Sequence, residues 1–217
     1  MDYEAARRMM IDSQVRPNDV TDPRIQQALA NTPREAFLPA GLREQAYVER
    51  EIVYAPGRSL IVARDFAKLL AALAPRAGEL ALDVAFGAGY STAVLAKLCG
   101  MAVGVEAEAG LAEEAQATWS AQSVDNAAAV VGDPAAGAPD EGPYDVILVA
   151  HAVGRIPEAL TAQLRDGGRL GAIRRAGAVS KGVIVSRTGA ATATREAFDA
   201  AAANVLPGFE APRAFAF

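Results

Sequence analysis

The stretch Leu82-Asp83-Val84-Ala85-Phe86-Gly87-Ala88-Gly89-Tyr90-Ser91 decides how this sequence is read. The run from Leu80 to Val84 is apolar except for Asp83, which predicts a short buried strand. The glycines after it open an amphipathic helix carrying Val94, Leu95 and Leu98. Glycine takes positive φ and lets a ligand approach the backbone, and the first N–H groups of a helix are free to bond that ligand. Strand, turn and helix together predict a small-molecule site. Met101 to Val105 reads as the next strand and ends on Glu106, about 20 residues beyond the turn, where an acidic side chain accepts hydrogen bonds from ribose hydroxyls. The expected ligand is nucleotide-like.

Outward from this unit, Ala63 to Ala74 is a helix by spacing, with Phe66, Leu69, Leu70 and Leu73 on one face and Pro75 to end it. Downstream the pattern alternates: strand at about 101–106, helix at about 109–122, strands at about 127–132 and 144–150, helix at about 156–165, strand at about 168–174. Lys181 to Ser186 and Thr192 to Phe198 follow as two strands joined near Thr188-Gly189, with no room for a helix, so one must run antiparallel. The fold class is α/β, a three-layer, doubly wound, mostly parallel sheet of about seven strands with a C-terminal antiparallel hairpin. It occupies residues 63–217 as a Rossmann-like domain, and Phe209, Phe215 and Phe217 are expected to dock on its core.

Residues 1–62 read as a small N-terminal helical subdomain ending in a loop. Tyr3 to Ser13 has helical spacing, and Thr21-Asp22-Pro23 starts a helix that turns Ile25 and Leu29 inward. Thr32-Pro33-Arg34-Glu35 has the form of a capping box. From Glu51 to Ile61 the pattern is extended around a turn at Pro56-Gly57, and this segment is placed to cross the mouth of the downstream site.

Twenty-one basic against 26 acidic residues give a net charge of −5, with no basic run and few aromatic residues. That balance argues against duplex nucleic acid or an anionic membrane surface as the main partner. The single cysteine, Cys99, excludes an internal disulfide and reads as a small packing residue. The first 20 residues mix charges with short apolar pieces, unlike a signal peptide, and no apolar run approaches the roughly 18 to 20 residues of a membrane span. A cytoplasmic protein is expected; oligomeric state is not legible.

The glycine turn, together with Arg8-Met9-Met10-Ile11-Asp12-Ser13-Gln14-Val15, Pro33-Arg34-Glu35-Ala36-Phe37-Leu38-Pro39, Ala46-Tyr47, Gly132-Asp133, Pro143 to Val149, Ile156-Pro157 and Gln163 to Leu170, resembles the protein-L-isoaspartate O-methyltransferase family, class I enzymes that use S-adenosylmethionine. The resemblance implies transfer of a methyl group from S-adenosyl-L-methionine to the free α-carboxylate of an isoaspartyl residue in a protein or peptide. It implies cofactor-binding roles for Asp83, Ala85, Gly87 and Gly89 at the amino-acid end, Glu106 at the ribose and Asp133 near the adenine. The family's turn usually has glycine where this chain has Ala85 and a small residue where it has Phe86. The family's Gly-Gln-Thr-Ile-Ser-x-Pro segment aligns with Gly57-Arg58-Ser59-Leu60-Ile61-Val62-Ala63. Ser59 keeps the hydroxyl of the family's threonine and is the catalytic candidate, while the family's serine and proline are Ile61 and Ala63. Arg58 could supply a positive charge for the acceptor carboxylate.

Several residues carry two readings. His151 follows a strand at the carboxyl end of the sheet, where it either binds substrate with Arg58 and Ser59 or moves a proton, or is a rim histidine bonded to backbone or water. Asp83 serves the cofactor or the turn, and Asp133 the adenine or an ordinary turn. Trp119 reads as packing. No metal set is read, and a carboxylate nucleophile, ionised at neutral pH, needs alignment more than a base. Alternatives are a methyltransferase for another acceptor, a non-catalytic homologue that keeps the fold, and, ranked last, a nicotinamide-dependent oxidoreductase, whose third fingerprint glycine would fall at Thr92.

Overall fold

The computed structural model describes residues 1–212. In chain order the principal elements are α1 (Tyr3–Met10), α2 (Pro23–Ala30), β1 (Ile52–Ala55), β2 (Arg58–Leu60), α3 (Ala63–Leu73), β3 (Leu80–Val84), α4 (Tyr90–Ala96), β4 (Met101–Glu106), α5 (Ala109–Ala121), β5 (Ala127–Val131), β6 (Tyr144–Val153), α6 (Glu158–Ala162), β7 (Leu164–Ala176), β8 (Val179–Thr188) and β9 (Ala191–Ala200). Seven strands form one sheet in the order β5-β4-β3-β6-β7-β8-β9. The strands from β5 to β7 are parallel, and β8 runs antiparallel to both of its neighbours. The expected terminal hairpin is therefore present, and chain connectivity reverses between β3 and β6. In such sheets a crevice opens beyond the carboxyl ends of the strands at that point.

Both faces of the central strands are covered, which is why they read as continuous apolar runs. Leu82 and Val84 belong to the cluster on one face with Leu160 and Phe209, while Ala81 belongs to the cluster on the other with α3 and α4. On α3, Phe66, Leu69, Leu70 and Leu73 are all buried, and the helix stops at Ala74 with φ +47, before Pro75. The N-terminal helices add Ile25 and Leu29 to the same cluster as α3. Asp22 caps α2 by accepting the Arg24 N–H at 2.9 Å. Phe209 docks on the core as expected, whereas Phe215 and Phe217 lie outside the described residues. None of the described helices is long and apolar enough to cross a membrane.

Two local expectations are corrected. Thr32 forms no capping box: its hydroxyl donates back to the Ala28 carbonyl at 2.8 Å, and only a 3₁₀ turn, Arg34–Phe37, follows. Glu35, the other half of the motif, is drawn instead to Arg7 and the Tyr47 hydroxyl. The helix expected at 156–165 shrinks to Glu158–Ala162, because Leu164 already pairs with Tyr144 in the sheet.

The segment expected to cross the site does so. β1 and β2 pair only with each other, antiparallel, as a two-stranded hairpin turning at Pro56-Gly57. Glu51 ties its base down, accepting the Ser59 hydroxyl at 2.6 Å and the Ala203 N–H at 3.1 Å.

Candidate functional site

The turn after β3 carries positive φ at Ala85 (+56), Gly87 (+56) and Gly89 (+87). Ala85 is therefore in a conformation that alanine adopts at a cost of about 1–2 kcal/mol. It is held there from both sides: its N–H donates to the Val105 carbonyl at 2.8 Å, and its carbonyl meets His151 Nε2 at 3.0 Å. Gly87 is required for space as well as for φ, since a Cβ there would lie 1.9 Å from the Tyr54 hydroxyl. Trp119 packs as expected, and its indole N–H also braces the turn by donating to the Gly89 carbonyl at 2.8 Å. Phe86 is turned into the core, its ring centroid 5.4 Å from that of Trp119.

Glu106, fully buried at the end of β4, is the most heavily bonded side chain of the site. Oε2 accepts the Gly87 N–H at 2.9 Å and Arg58 Nε at 2.8 Å. Oε1 accepts the N–H groups of Ala107 at 2.8 Å and Glu108 at 3.2 Å, and the second arm of the Arg58 fork. Burial alone would raise the Glu106 carboxyl, but Arg58 and the backbone donors outweigh it and hold it below its ordinary value. The Arg58 side chain is only 8% exposed. In this conformation Arg58, read as a positive charge for the acceptor carboxylate, is engaged with Glu106: the hairpin brings the two oppositely charged groups together across 48 residues of sequence.

Ser59, the catalytic candidate, donates its proton to Glu51, so its hydroxyl is not free to donate in this conformation. His151 sits in an irregularity of β6, where the pairing with β7 skips from Val149 to Ala152, and the bulge aims its ring at the turn. Burial pushes the imidazole down to about 4, so it is neutral at physiological pH and Nε2 donates to Ala85. Asp83 is buried, accepts the Thr92 hydroxyl at 2.7 Å through Oδ2, and leaves Oδ1 without a partner. Burial raises this carboxyl to about 7 against the opposing effect of Ser91 and Thr92. Asp133 lies just beyond β5 and accepts the Ala135 N–H at 2.9 Å within its own turn. Arg58, Ser59 and His151 all line one cleft of about 310 Å³ beneath the hairpin.

Three residues that the structure brings to this site were not legible as such. Tyr54 accepts the Ala88 N–H at 2.9 Å, and burial raises its phenol to about 12, so it stays protonated. Its signal was its place in the extended segment four residues before Arg58. Glu51 holds Ser59. Arg34, which reads as part of a helix start, is 2% exposed, bonds the Ile61 carbonyl at 2.6 Å, stacks 5.1 Å from the Tyr90 ring, and has no partner for Nε.

The donor and acceptor types fit a nucleoside cofactor: a carboxylate at the ribose position and N–H groups in a positive-φ turn. In this conformation those groups are taken by the hairpin, Glu106 by Arg58 and Ala88 by Tyr54.

The architecture, a seven-stranded, mostly parallel sheet with a C-terminal antiparallel hairpin, is like that of the class I methyltransferase fold. A solved protein-L-isoaspartate O-methyltransferase superposes with a TM-score of 0.80 at 21% identity, covering 96% of this chain and 67% of its own. A Plasmodium falciparum structure described as a candidate of the same enzyme, in complex with S-adenosyl-L-homocysteine, gives 0.77 at 17% identity over 95% of this chain and 98% of its own. The sequence pattern of the protein-L-isoaspartate(D-aspartate) O-methyltransferase family matches residues 5–173. Protein-L-isoaspartate O-methyltransferase of Methylorubrum populi is 38% identical over 170 residues, covering 77% of this chain and 78% of that protein. Protein-L-isoaspartate O-methyltransferase 1 of Rhodopseudomonas palustris is 34% identical over 168 residues, covering 77% and 69%. The chain belongs to the protein-L-isoaspartate(D-aspartate) O-methyltransferase family.

Proposed function

We propose that this chain is an S-adenosylmethionine-dependent O-methyltransferase that acts on the α-carboxylate of isoaspartyl residues in proteins or peptides. The observation that carries the reading is the family match over residues 5–173, which contains the turn, Glu106, the hairpin and His151. Bound S-adenosylmethionine would supply an electrophilic methyl group, and Glu106, the turn from Asp83 to Gly89, and Asp133 are the residues that would hold it. The acceptor carboxylate is ionised at neutral pH, so the residues of this chain need only orient it and exclude water. No proton has to move, which suits a site whose lone histidine is neutral and bonded to backbone. Arg58, Ser59 and His151 are the residues for the acceptor, in the cleft they share. The reading puts the protein in an aqueous, reducing compartment, the cytoplasm, in keeping with a single buried thiol at Cys99.

The Arg58–Glu106 pair favours a second reading, a homologue that keeps the fold without turnover. Methyl transfer to an isoaspartyl peptide, followed by mass spectrometry against the matched aspartyl peptide, separates the two. A gain of one methyl group on the isoaspartyl form alone supports the enzyme, and no gain on either peptide refutes it.

A further inference from the structure

Arg58 faces two ways. Its Nε and Nη2 donate to Glu106, and the same side chain lines the cleft of about 310 Å³ that it shares with Ser59 and His151. It is carried on a hairpin whose strands pair with each other and not with the main sheet. A guanidinium fork grips one carboxylate bidentately at a time. On the methyltransferase reading, both ligands make a demand on this one contact. The ribose of the cofactor needs the oxygens of Glu106, and a carboxylate acceptor in the cleft needs the fork.

Each ligand alone meets a penalty. A nucleoside that took Glu106 would strand the Arg58 guanidinium, buried and without an anion. An acceptor carboxylate that took Arg58 would leave Glu106 with only the N–H groups of Gly87, Ala107 and Glu108. Together they leave neither group without partners: the fork moves to the acceptor, and the ribose hydroxyls replace it as hydrogen-bond donors to Glu106, beside the N–H groups of Gly87, Ala107 and Glu108. We infer that Arg58 couples the two ligands, so that an acceptor carboxylate and the nucleoside cofactor bind with positive cooperativity through the transfer of one arginine between two carboxylates. This inference rests on the methyltransferase reading. The coupling is reciprocal, each ligand raising the affinity of the other by the same factor.

The test is a calorimetric titration of the full chain with S-adenosylhomocysteine alone, with saturating isoaspartyl peptide, and with the same peptide carrying a carboxamide in place of the α-carboxylate. The isoaspartyl peptide should tighten S-adenosylhomocysteine binding by about tenfold or more, within the usual range of allosteric couplings. The carboxamide should leave it unchanged. Arg58→Gln should bind S-adenosylhomocysteine more tightly than the natural chain in the absence of peptide and show no further gain with it. Arg58→Lys, which keeps the charge without the fork, should retain only part of the coupling. Thermal unfolding of each variant confirms a folded protein. Binding that ignores the peptide, or coupling that survives Arg58→Gln, overturns the inference while the methyltransferase reading stands. If no form binds S-adenosylhomocysteine with or without peptide, that reading falls and the inference falls with it.

Discussion

Replacing Glu106 by alanine should destabilise the fold more than replacing Arg58, although the two form one ion pair. The asymmetry follows from their other bonds. Without Arg58, Glu106 still accepts three backbone N–H groups, from Gly87, Ala107 and Glu108, and loses only the fork. The loss of hydrogen bonds to a charged group is about 1.5–3 kcal/mol. Without Glu106, Arg58 keeps only the Gly57 carbonyl, at 3.0 Å, and the three N–H groups lose their side-chain acceptor as well. Breaking a buried pair in this way costs about 3–5 kcal/mol. Against a typical total of about 5–15 kcal/mol, that is a large fraction.

Guanidinium chloride unfolding at neutral pH measures both variants, provided the slopes match so that midpoints report stability. The double variant should cost less than the sum of the single ones by about 0.5–3 kcal/mol, as for residues in direct contact. The Glu106 carboxyl lies below its ordinary value in the folded chain, so its contribution is complete above the ordinary carboxylate range and is lost as pH falls through the folded value. The difference between natural chain and Glu106→Ala should therefore shrink in acid. Equal costs for the two single variants, or strict additivity in the double, would refute the argument that Glu106 organises the turn and Arg58 merely joins it.

His151 is the only histidine, so its imidazole C–H signals can be assigned without ambiguity in proton NMR. It should remain neutral until about pH 4, and its contribution to stability, complete above the ordinary 6.5, should decline as pH falls from there toward 4; titration near 6.5 would contradict its burial against Ala85. Asp83 is shifted the other way, up to about 7, so its contribution is complete below the ordinary 3.8 and declines as pH rises toward 7. Asp83→Asn should thus raise the melting temperature at pH 8 and give no gain at pH 4; an equal gain at both would rule out the ionisation of Asp83 as the cause. Gly104→Ala should cost about 1–3 kcal/mol in denaturant unfolding, because a Cβ there would lie 2.4 Å from the Phe86 ring. Adding Phe86→Leu should recover part of that loss, and an independent pair of effects would show that the ring does not pack there.

The order and type of the sheet elements were legible because each central strand is apolar on both faces and each long helix shows one buried stripe. β4 at Met101–Glu106 and α5 at Ala109–Ala121 fall within a residue of their expected bounds. The failures share one cause. Thr32 and Glu35 have the spacing of a capping box, and Ala85 has a side chain that disfavours positive φ, yet partners distant in sequence override both local preferences: Arg7 and Tyr47 claim Glu35, while Val105 and His151 hold Ala85. The site shows the same thing at its centre. Residue type and position mark Glu106 as an acceptor and Arg58 as a donor, each for a different ligand. What the linear pattern does not contain is that a hairpin closes over 48 residues to satisfy each with the other. On the proposed coupling, a site assembled from such pairs binds only as well as the pair can be exchanged: Glu106 organises the turn through its backbone donors, and the strength of the Arg58–Glu106 contact sets the threshold that a nucleoside must overcome to enter.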